Sequence, residues 1–263
     1  MQLENYQTAN RTGITVITTS NLVYLQIKPL FRGFFVYNKS TMKKKKLIII
    51  VSSALVGTLT LGVAVPFIVL GIRTATLNND YSYLLNNDSY KDKVEIPGFG
   101  MKKQDISCGY ATIEMMSEYY GNKVDEIELA KRNHGDITTS SSNGFLKEIN
   151  KTITSQIFVK RSYLKNDELL KEIYESIKNN NPVAIEWAAK YEDEWTLHFS
   201  VVTAVDFPCD DITIYNPYGY TEDITVKEFI DRTSFKAYEK MPLFLSFGFA
   251  YGAFEKNTIF YAK

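Results

Sequence analysis

Apolar residues recur at helical spacing in several stretches that follow residue 94. In the clearest stretch they are three or four positions apart, as on one face of an α-helix: Tyr110, Ile113, Met116 and Tyr120. The same reasoning predicts helices over Cys108–Tyr120, Val124–Arg132 and Asp167–Lys178, a helical turn at Gly144–Ile149 and a short helix within "YTEDITVKEFIDRT", after a turn.

The pattern elsewhere changes to β-branched and aromatic runs bounded by turn residues, which favours strands. These runs are "SQIFVKRSY", "NNNPVAIEWAA", "TLHFSVVTAVDF" and "DDITIYNPYG". The tail "MPLFLSFGFAYGAFEKNTIFYAK" is apolar and aromatic, and we expect it to supply more sheet. Helices followed by antiparallel strands predict an α+β domain over residues 94–263.

A different pattern precedes this domain: Leu47 to Ile72 is 26 residues without a charge. About 20 apolar residues suffice to span a bilayer as a helix, so 47–72 is predicted to be a transmembrane signal-anchor helix. Lys43 to Lys46 flank it, which places the N-terminus in the cytoplasm and the domain outside. Two alternatives are a buried core helix and a signal peptide that is cleaved to release the domain.

The remaining segments are assigned from their composition. Residues 73–93 are rich in Asn and Asp and are predicted to form a linker. Residues 1–46 are interpreted as a cytoplasmic tail. Met42, followed by four lysines, resembles a natural start, so residues 1–41 are interpreted as the product of a start codon assigned too early.

The charge distribution narrows the class of partner. The net charge is zero, but residues 1–73 carry nine Lys and Arg against one Glu, so residues 74–263 are acidic. The acidic part has no basic patch, which argues against a nucleic-acid partner. We find no phosphate-binding loop, no repeats and no convincing cluster of metal ligands, so no cofactor or metal is expected.

The candidate chemistry starts at Cys108, one of two cysteines in the chain. It opens a predicted helix, where free backbone amides and the helix dipole should lower the pKa of a thiol. Gly109 lets the chain approach closely as it enters the helix. Gln104 lies four residues upstream, and its side-chain amide could pair with the Cys108 N–H to hold an oxyanion.

A base and a group that orients it follow on two predicted strands. His198 is one of two histidines and lies in "WTLHFSVV". Asn216 ends the next strand, 18 residues later, and the "DFPCDD" turn should set it beside His198. Its side-chain oxygen can accept from one ring N–H and leave the other nitrogen for sulfur.

Other readings of these residues stay open at this point. Cys108 could be an ordinary buried thiol, or it could form a disulfide with Cys209 that consumes the nucleophile. Cys209 itself is interpreted as a surface thiol, and His134 as a loop residue at a helix end. Trp187 and Trp195 are expected to pack.

The motifs Q-x-x-x-C-G, H-F-x-V-V and N-P-x-G, in this order, resemble the C39-like branch of papain-like cysteine peptidases. The resemblance covers roughly Val94 to Lys236. It implies a papain-like fold, with a helical part that carries the cysteine and an antiparallel sheet that carries the histidine and asparagine. It also implies site roles: nucleophile Cys108, base His198, orienting residue Asn216 and oxyanion-hole residue Gln104.

The chain departs from that family at two positions. Asn216 stands where the family more often has Asp, and Leu197 stands where a Gly commonly precedes the histidine. The first change still leaves an acceptor for the ring, whereas the second could reshape the cleft.

The resemblance implies a thiol hydrolase, a peptidase that acts on peptides or proteins. Together with the predicted anchor, it indicates a single-pass protein of the plasma membrane whose domain lies outside the cytoplasm. A catalytically silent peptide-binding module on the same fold is one alternative. A second is a peptidase that processes leader peptides on the cytoplasmic side.

Overall fold

The computed structural model describes residues 60 and 62–263 with their side chains, and before them the backbone alone of residues 7–9, 14–18, 22–27, 34–38, 44–59 and 61. The chain divides into two units, Met1–Ala64 and Val65–Lys263. The strands of the first unit pair in chain order as an antiparallel sheet: β1 (Gln7–Ala9), β2 (Ile14–Thr18), β3 (Leu22–Ile27) and β4 (Phe34–Asn38). Helix α1 follows at Lys44–Leu77.

The predicted membrane helix, 47–72, falls within the bounds of α1. No helix of the fully described residues is both long enough and apolar enough to cross a bilayer. Residues 47–59 and 61 of the predicted span lie outside those residues, as does the whole of the tail predicted at 1–46.

The second unit is built on one antiparallel sheet in the order β10-β9-β8-β7-β11-β6, with β5 against the end of β8. Its strands are β5 (Val94–Glu95), β6 (Phe158–Arg161), β7 (Val183–Tyr191), β8 (Glu194–Asp206), β9 (Asp211–Asn216), β10 (Tyr220–Ile224) and β11 (Thr258–Ala262). The long central strand β8 has neighbours on both sides, so side chains on it are held on a rigid element.

The helices of this unit are α2 (Cys108–Tyr119), α3 (Glu126–Arg132), α4 (Ser142–Thr152), α5 (Asn166–Lys178), α6 (Val226–Thr233) and α7 (Leu243–Ala250). The helices α2, α4 and α5 bury their apolar faces in the core that covers the sheet. For example, Phe145 of α4 stacks on Phe199 of β8 with ring centroids 4.4 Å apart. This mixture of helices and an antiparallel sheet confirms the predicted α+β class.

Two predicted elements need correction. The tail was expected to supply more sheet, and Thr258–Ala262 does so as β11, but its first part forms helix α7, which was not predicted. That strand inserts between β7 and β6. The stretch predicted as a turn before the short helix contains β10, which pairs with β9 along its whole length.

Residues 78–93, within the predicted linker, pack against the domain. Leu84 is fully buried, and the Tyr90 ring meets the Tyr174 ring edge to face at 5.0 Å. The Asn79 side chain accepts a hydrogen bond from the backbone N–H of Asp167, in the first turn of α5, at 3.1 Å. These contacts join the stretch to the same core.

Candidate active site

The backbone before Cys108 is held by a buried carboxylate. Glu126, the first residue of α3, accepts hydrogen bonds from three successive backbone N–H groups, those of Asp105 (2.5 Å), Ile106 (3.1 Å) and Ser107 (3.0 Å). The Ser107 hydroxyl then accepts from the N–H of Tyr110 and caps α2. The chain therefore enters α2 along one fixed path, with Cys108 as the first helical residue.

The position of this helix terminus also requires a glycine. A Cβ at Gly109 would lie 2.3 Å from Oγ1 and 2.4 Å from Cβ of Thr139. Real Cβ atoms do not approach so closely, so the helix could not hold this position with any larger residue. The role predicted for Gly109 in a close approach agrees with this contact.

Cys108 is a free, partly buried thiol. Backbone amides of Phe199, Gly109 and Cys108 itself lower its pKa, but burial outweighs them and raises the pKa to about 11. The predicted lowering is therefore wrong in direction, because removal of the thiolate from water costs more than the helix terminus returns. The Phe199 amide belongs to β8 and follows His198 in the chain.

His198 and Asn216 meet as predicted. Nε2 of His198 lies 2.8 Å from Oδ1 of Asn216, and both side chains are buried, with 2% and 0% of their surface exposed. Burial lowers the pKa of His198 to about 3, against the hydrogen bond that His198 donates to Asn216, which raises it. The Tyr218 ring stacks over the imidazole with centroids 4.2 Å apart and shields it from water.

Gln104 is tied to the same turn. Its backbone N–H donates to the carbonyl oxygen of Pro217 at 2.7 Å, which holds the loop before α2 against the residue that follows Asn216. The side-chain Oε1 of Gln104 is buried and has no hydrogen-bond partner among the described residues. That oxygen is therefore not committed to another group.

A cavity of about 420 Å³ opens beside Cys108. Its walls are largely apolar and include Trp195, Leu197, Phe244, Leu245 and Phe254. Phe254 fits there because Gly248 has no side chain: a Cβ at Gly248 would lie 2.5 Å from the Phe254 ring. Leu197, the departure from the family motif noted above, lines this cavity rather than closing it.

The structure also describes the other residues considered in the sequence. Cys209 is an exposed free thiol, so the alternative of a disulfide with Cys108 is not formed. His134 follows α3 with φ of 55°, in a loop, as interpreted from the sequence. Trp187 is fully buried, as expected for a packing residue. No group of three or more potential metal ligands occurs among the described residues.

Sequence reasoning missed the side chains that hold the site in place. Glu126 stands in the acidic stretch "VDEIELAKR", where nothing local distinguishes a buried acid from a solvated one. Glu222 accepts a hydrogen bond from Nδ2 of Asn216 at 2.6 Å, but it lies in a stretch predicted as a turn. A prediction of β10 would have revealed it, because Glu222 would then have lain on the strand beside β9.

The arrangement provides a free thiol at a helix terminus and an imidazole whose Nε2 is engaged by an amide oxygen. A largely apolar cavity adjoins the sulfur. Among curated proteins, no significant match to the chain was found. The model of the Peptidase_C39 like family matches residues 84–242. That match spans more than half of the chain and contains every candidate residue of the site, so the protein belongs to the Peptidase_C39 like family.

Proposed function

We propose that the protein is a cysteine peptidase in which Cys108 attacks the scissile carbonyl, His198 exchanges the proton and Asn216 orients the imidazole. The observation that carries the proposal is the 2.8 Å contact between His198 Nε2 and Asn216 Oδ1, on strands that face the start of α2. An amide oxygen can only accept, so Nε2 carries the hydrogen and Nδ1 presents a lone pair.

Burial sets the protonation state in which the reaction starts. It raises the pKa of Cys108 to about 11 and lowers that of His198 to about 3. Both shifts favour a neutral thiol and a neutral imidazole at pH 7. We therefore propose that His198 acts as general base while the sulfur attacks, and that a preformed thiolate–imidazolium pair is not the resting state.

The later steps follow from the same groups. The Cys108 N–H and the Gln104 side-chain amide stabilise the oxyanion of the tetrahedral intermediate. The imidazolium at His198 then protonates the leaving amine, and water, deprotonated by His198, releases the acyl group from sulfur. The apolar walls of the cavity favour a peptide with a large apolar side chain next to the scissile bond.

Hydrolysis of fluorogenic peptides that carry Phe, Leu, Ala or Asp next to the scissile bond tests this proposal. Cys108→Ala and His198→Ala should each abolish hydrolysis, while Cys209→Ala, which removes the exposed thiol, should leave it unchanged. Full activity of Cys108→Ala would exclude the mechanism.

A catalytically silent peptide-binding module is the second candidate. The observation in its favour is the burial of Cys108 and His198, which disfavours the charged form of each. Under this alternative the wild type and Cys108→Ala would bind a Phe-bearing peptide equally, and neither would hydrolyse it.

The predicted location is a separate proposal: a domain outside the cytoplasm on a single membrane anchor. Its support is the uncharged run from Leu47 to Ile72 after four lysines. Protease treatment of intact cells should then degrade the domain, whereas a cytoplasmic domain would survive until the cells are lysed.

A further inference from the structure

A chain of hydrogen bonds continues from Asn216 away from the imidazole. Asn216 Nδ2 donates to Glu222 Oε1 at 2.6 Å, and Arg232 Nη1 donates to Glu222 Oε2 at 2.6 Å. The guanidinium of Arg232 is 3% exposed, and the Glu222 side chain is 17% exposed. The polar chain His198–Asn216–Glu222–Arg232 thus runs from the candidate base to a buried ion pair.

Arg232, at the end of this hydrogen-bond chain, is held firmly in place. Arg232 donates from Nε to the carbonyl oxygen of Ala188 at 2.8 Å, and its guanidinium carbon lies 3.6 Å from the centroid of the Trp187 ring. Trp187 is the cross-strand partner of His198 in the register of β7 and β8. Strand β7 therefore holds both the arginine and, through the sheet, the histidine.

These contacts decide which way the Asn216 amide faces. The carboxylate of Glu222 can only accept, so Nδ2 of Asn216 must point toward it. The N–H of Tyr218 donates to Oδ1 at 3.0 Å, which supports the same orientation. Oδ1 is then the only atom available to His198, and it can pair only with an Nε2 that carries hydrogen.

We propose that Glu222, held by Arg232, is a positioning residue that fixes the Asn216 amide and thereby the Nε2–H tautomer of His198. The inference rests on the proposed function, in which Nδ1 accepts the Cys108 proton. Only the Nε2–H tautomer leaves Nδ1 free to do so. It also accounts for the departure at Asn216: the carboxylate that the family more often places beside the histidine stands here one residue further along the hydrogen-bond chain.

Two substitutions, at Glu222 and at Asn216, can each disturb this hydrogen-bond chain and together restore it. In the wild type Oε1 of Glu222 accepts from Asn216 Nδ2 at 2.6 Å and from Arg232 Nη2 at 3.3 Å, while Oε2 accepts from Arg232 Nη1 at 2.6 Å. In Glu222→Gln one of these two positions becomes an NH₂ group, which must oppose either Asn216 Nδ2 or Arg232 Nη1. If the oxygen stays with Arg232, the Asn216 amide turns over, and its NH₂ group then faces the ring. The ring nitrogen Nε2 becomes the acceptor, so the hydrogen moves to Nδ1 and the base is blocked.

Asn216→Asp fails for the opposite reason, because it places two carboxylates at hydrogen-bond distance. The double variant Asn216→Asp/Glu222→Gln restores both the donor–acceptor order and the net charge of the chain. The introduced glutamine then accepts from Arg232 and donates to the introduced aspartate, which accepts from Nε2. Each single change should therefore damage the site, and their combination should repair it.

Two measurements test this. The first is ¹⁵N NMR of protein labelled at histidine, which has only two imidazoles to observe, with His134→Gln to assign them. The wild type and the double variant should show the Nε2–H tautomer at His198, and Glu222→Gln the Nδ1–H tautomer. The second is kcat/KM for a Phe-bearing peptide, which should fall about 100-fold or more in each single variant and return to within about 10-fold in the double variant.

Glu228→Gln is the matched control, because Glu228 contacts the same Arg232 Nη1 at 3.3 Å but makes no contact with Asn216. It should change neither the tautomer nor kcat/KM. A Glu222→Gln variant that keeps the Nε2–H tautomer, or a double variant no better than the worse single one, overturns the inference. If Glu222→Gln does not fold, kcat/KM of the double variant relative to Asn216→Asp decides, because recovery over that single variant requires the exchange at position 222. If the wild type hydrolyses no peptide, the proposed function fails, but the NMR result still decides the inference.

Discussion

Glu126 shows how one buried side chain can set the position of a nucleophile that it does not touch. Its two carboxylate oxygens accept from three backbone N–H groups in the loop that leads into α2. A glutamine has the same shape but only one accepting oxygen, and its NH₂ group would face a backbone donor. We expect Glu126→Gln to destabilise the protein by about 1.5–3 kcal/mol, since these hydrogen bonds involve a charged acceptor.

The same change should lower kcat/KM by about 10- to 100-fold, because small displacements of a reacting group cost that much. Urea denaturation and peptide hydrolysis measure the two effects. Glu128→Gln, an exposed change in the same helix turn, should alter neither. A destabilised Glu126→Gln with full activity would show that the loop does not position Cys108.

A second prediction concerns Gly109, which also constrains the start of α2. Gly109→Ala inserts a Cβ within 2.4 Å of Thr139, so α2 or the 138–140 loop must move. We expect a loss of about 1–3 kcal/mol in stability, the usual cost of overpacking, together with a loss of activity. Gly100→Ala is the control, because its Cβ would meet nothing closer than 3.7 Å. Equal effects of the two changes would argue against a special constraint at Gly109.

The sequence alone identifies some of these residues as candidates for the site and misses others. Cys108, His198 and Asn216 are recognisable from their motifs, and the adjacent strands β8 and β9 bring the last two together. The pKa of Cys108 was predicted in the wrong direction, because burial depends on the packing of β8 against α2, which no local pattern reveals. Glu126 acts on a loop 19 to 21 residues away, so its partners are invisible before folding.

Helix α7 supplies part of the cavity wall next to Cys108 and lies just beyond the family match, which ends at residue 242. Phe244 and Leu243 are adjacent on it and similarly exposed, at 70% and 72%, but only Phe244 lines the cavity. If the cavity receives an apolar substrate side chain, Phe244→Ala should lower kcat/KM for a Phe-bearing peptide about 3- to 10-fold. Hydrolysis of an Ala-bearing peptide should change less.

Leu243→Ala removes a comparable apolar group that does not line the cavity, so hydrolysis of both peptides should stay within about twofold of the wild type. The ratio of kcat/KM for the two peptides is the measurement, because it cancels differences in active-enzyme concentration. Identical ratios in the wild type and in Phe244→Ala would remove α7 from the specificity site.

The elements that sequence patterns predicted poorly share a physical cause. The residues of α7, "LFLSFGFA", are nearly all apolar, and periodicity cannot distinguish a helix from a strand in such a run. Strand β10 carries Glu222 and Asp223, residue types that are depleted in strands, and it forms because β9 offers it an edge. Helices α2 and α5 were predicted well because each has a clear apolar face and a clear end.

At the scale of the whole molecule, two buried groups should shape the dependence of stability on pH. The folded-state pKa of His198 is lowered from 6.5 to about 3, so this group destabilises the folded state as the pH falls below 6.5. Glu186, fully buried on β7, behaves in the opposite way. Burial raises its pKa from 4.5 to about 8, so the folded state keeps a proton that the unfolded state has lost. Its contribution is complete below pH 4.5 and is lost as the pH rises toward 8.

Between pH 4.5 and 6.5 the effects of His198 and Glu186 on stability change with pH in opposite directions and cancel. From pH 6.5 to about 8 only the effect of Glu186 still changes. The free energy of unfolding should therefore change little over the first range and fall by about 1.4 kcal/mol per pH unit over the second. In Glu186→Gln the second slope disappears, because no proton is taken up. The variant should gain stability relative to the wild type with each pH unit from about 4.5 to 8.

The Ser142 hydroxyl donates to Glu186 Oε2 at 2.5 Å, and a glutamine oxygen can keep that bond. The difference in stability between Glu186→Gln and the wild type at pH 4.5 therefore measures the effect of the substitution on packing. The way this difference changes with pH measures the effect of the proton bound to Glu186. Urea denaturation at half-unit steps of pH measures both, with the exposed Glu194→Gln as control. A slope above pH 6.5 that survives in Glu186→Gln would mean that another group takes up the proton. In that case burial of Glu186 would not set the alkaline limit of this fold.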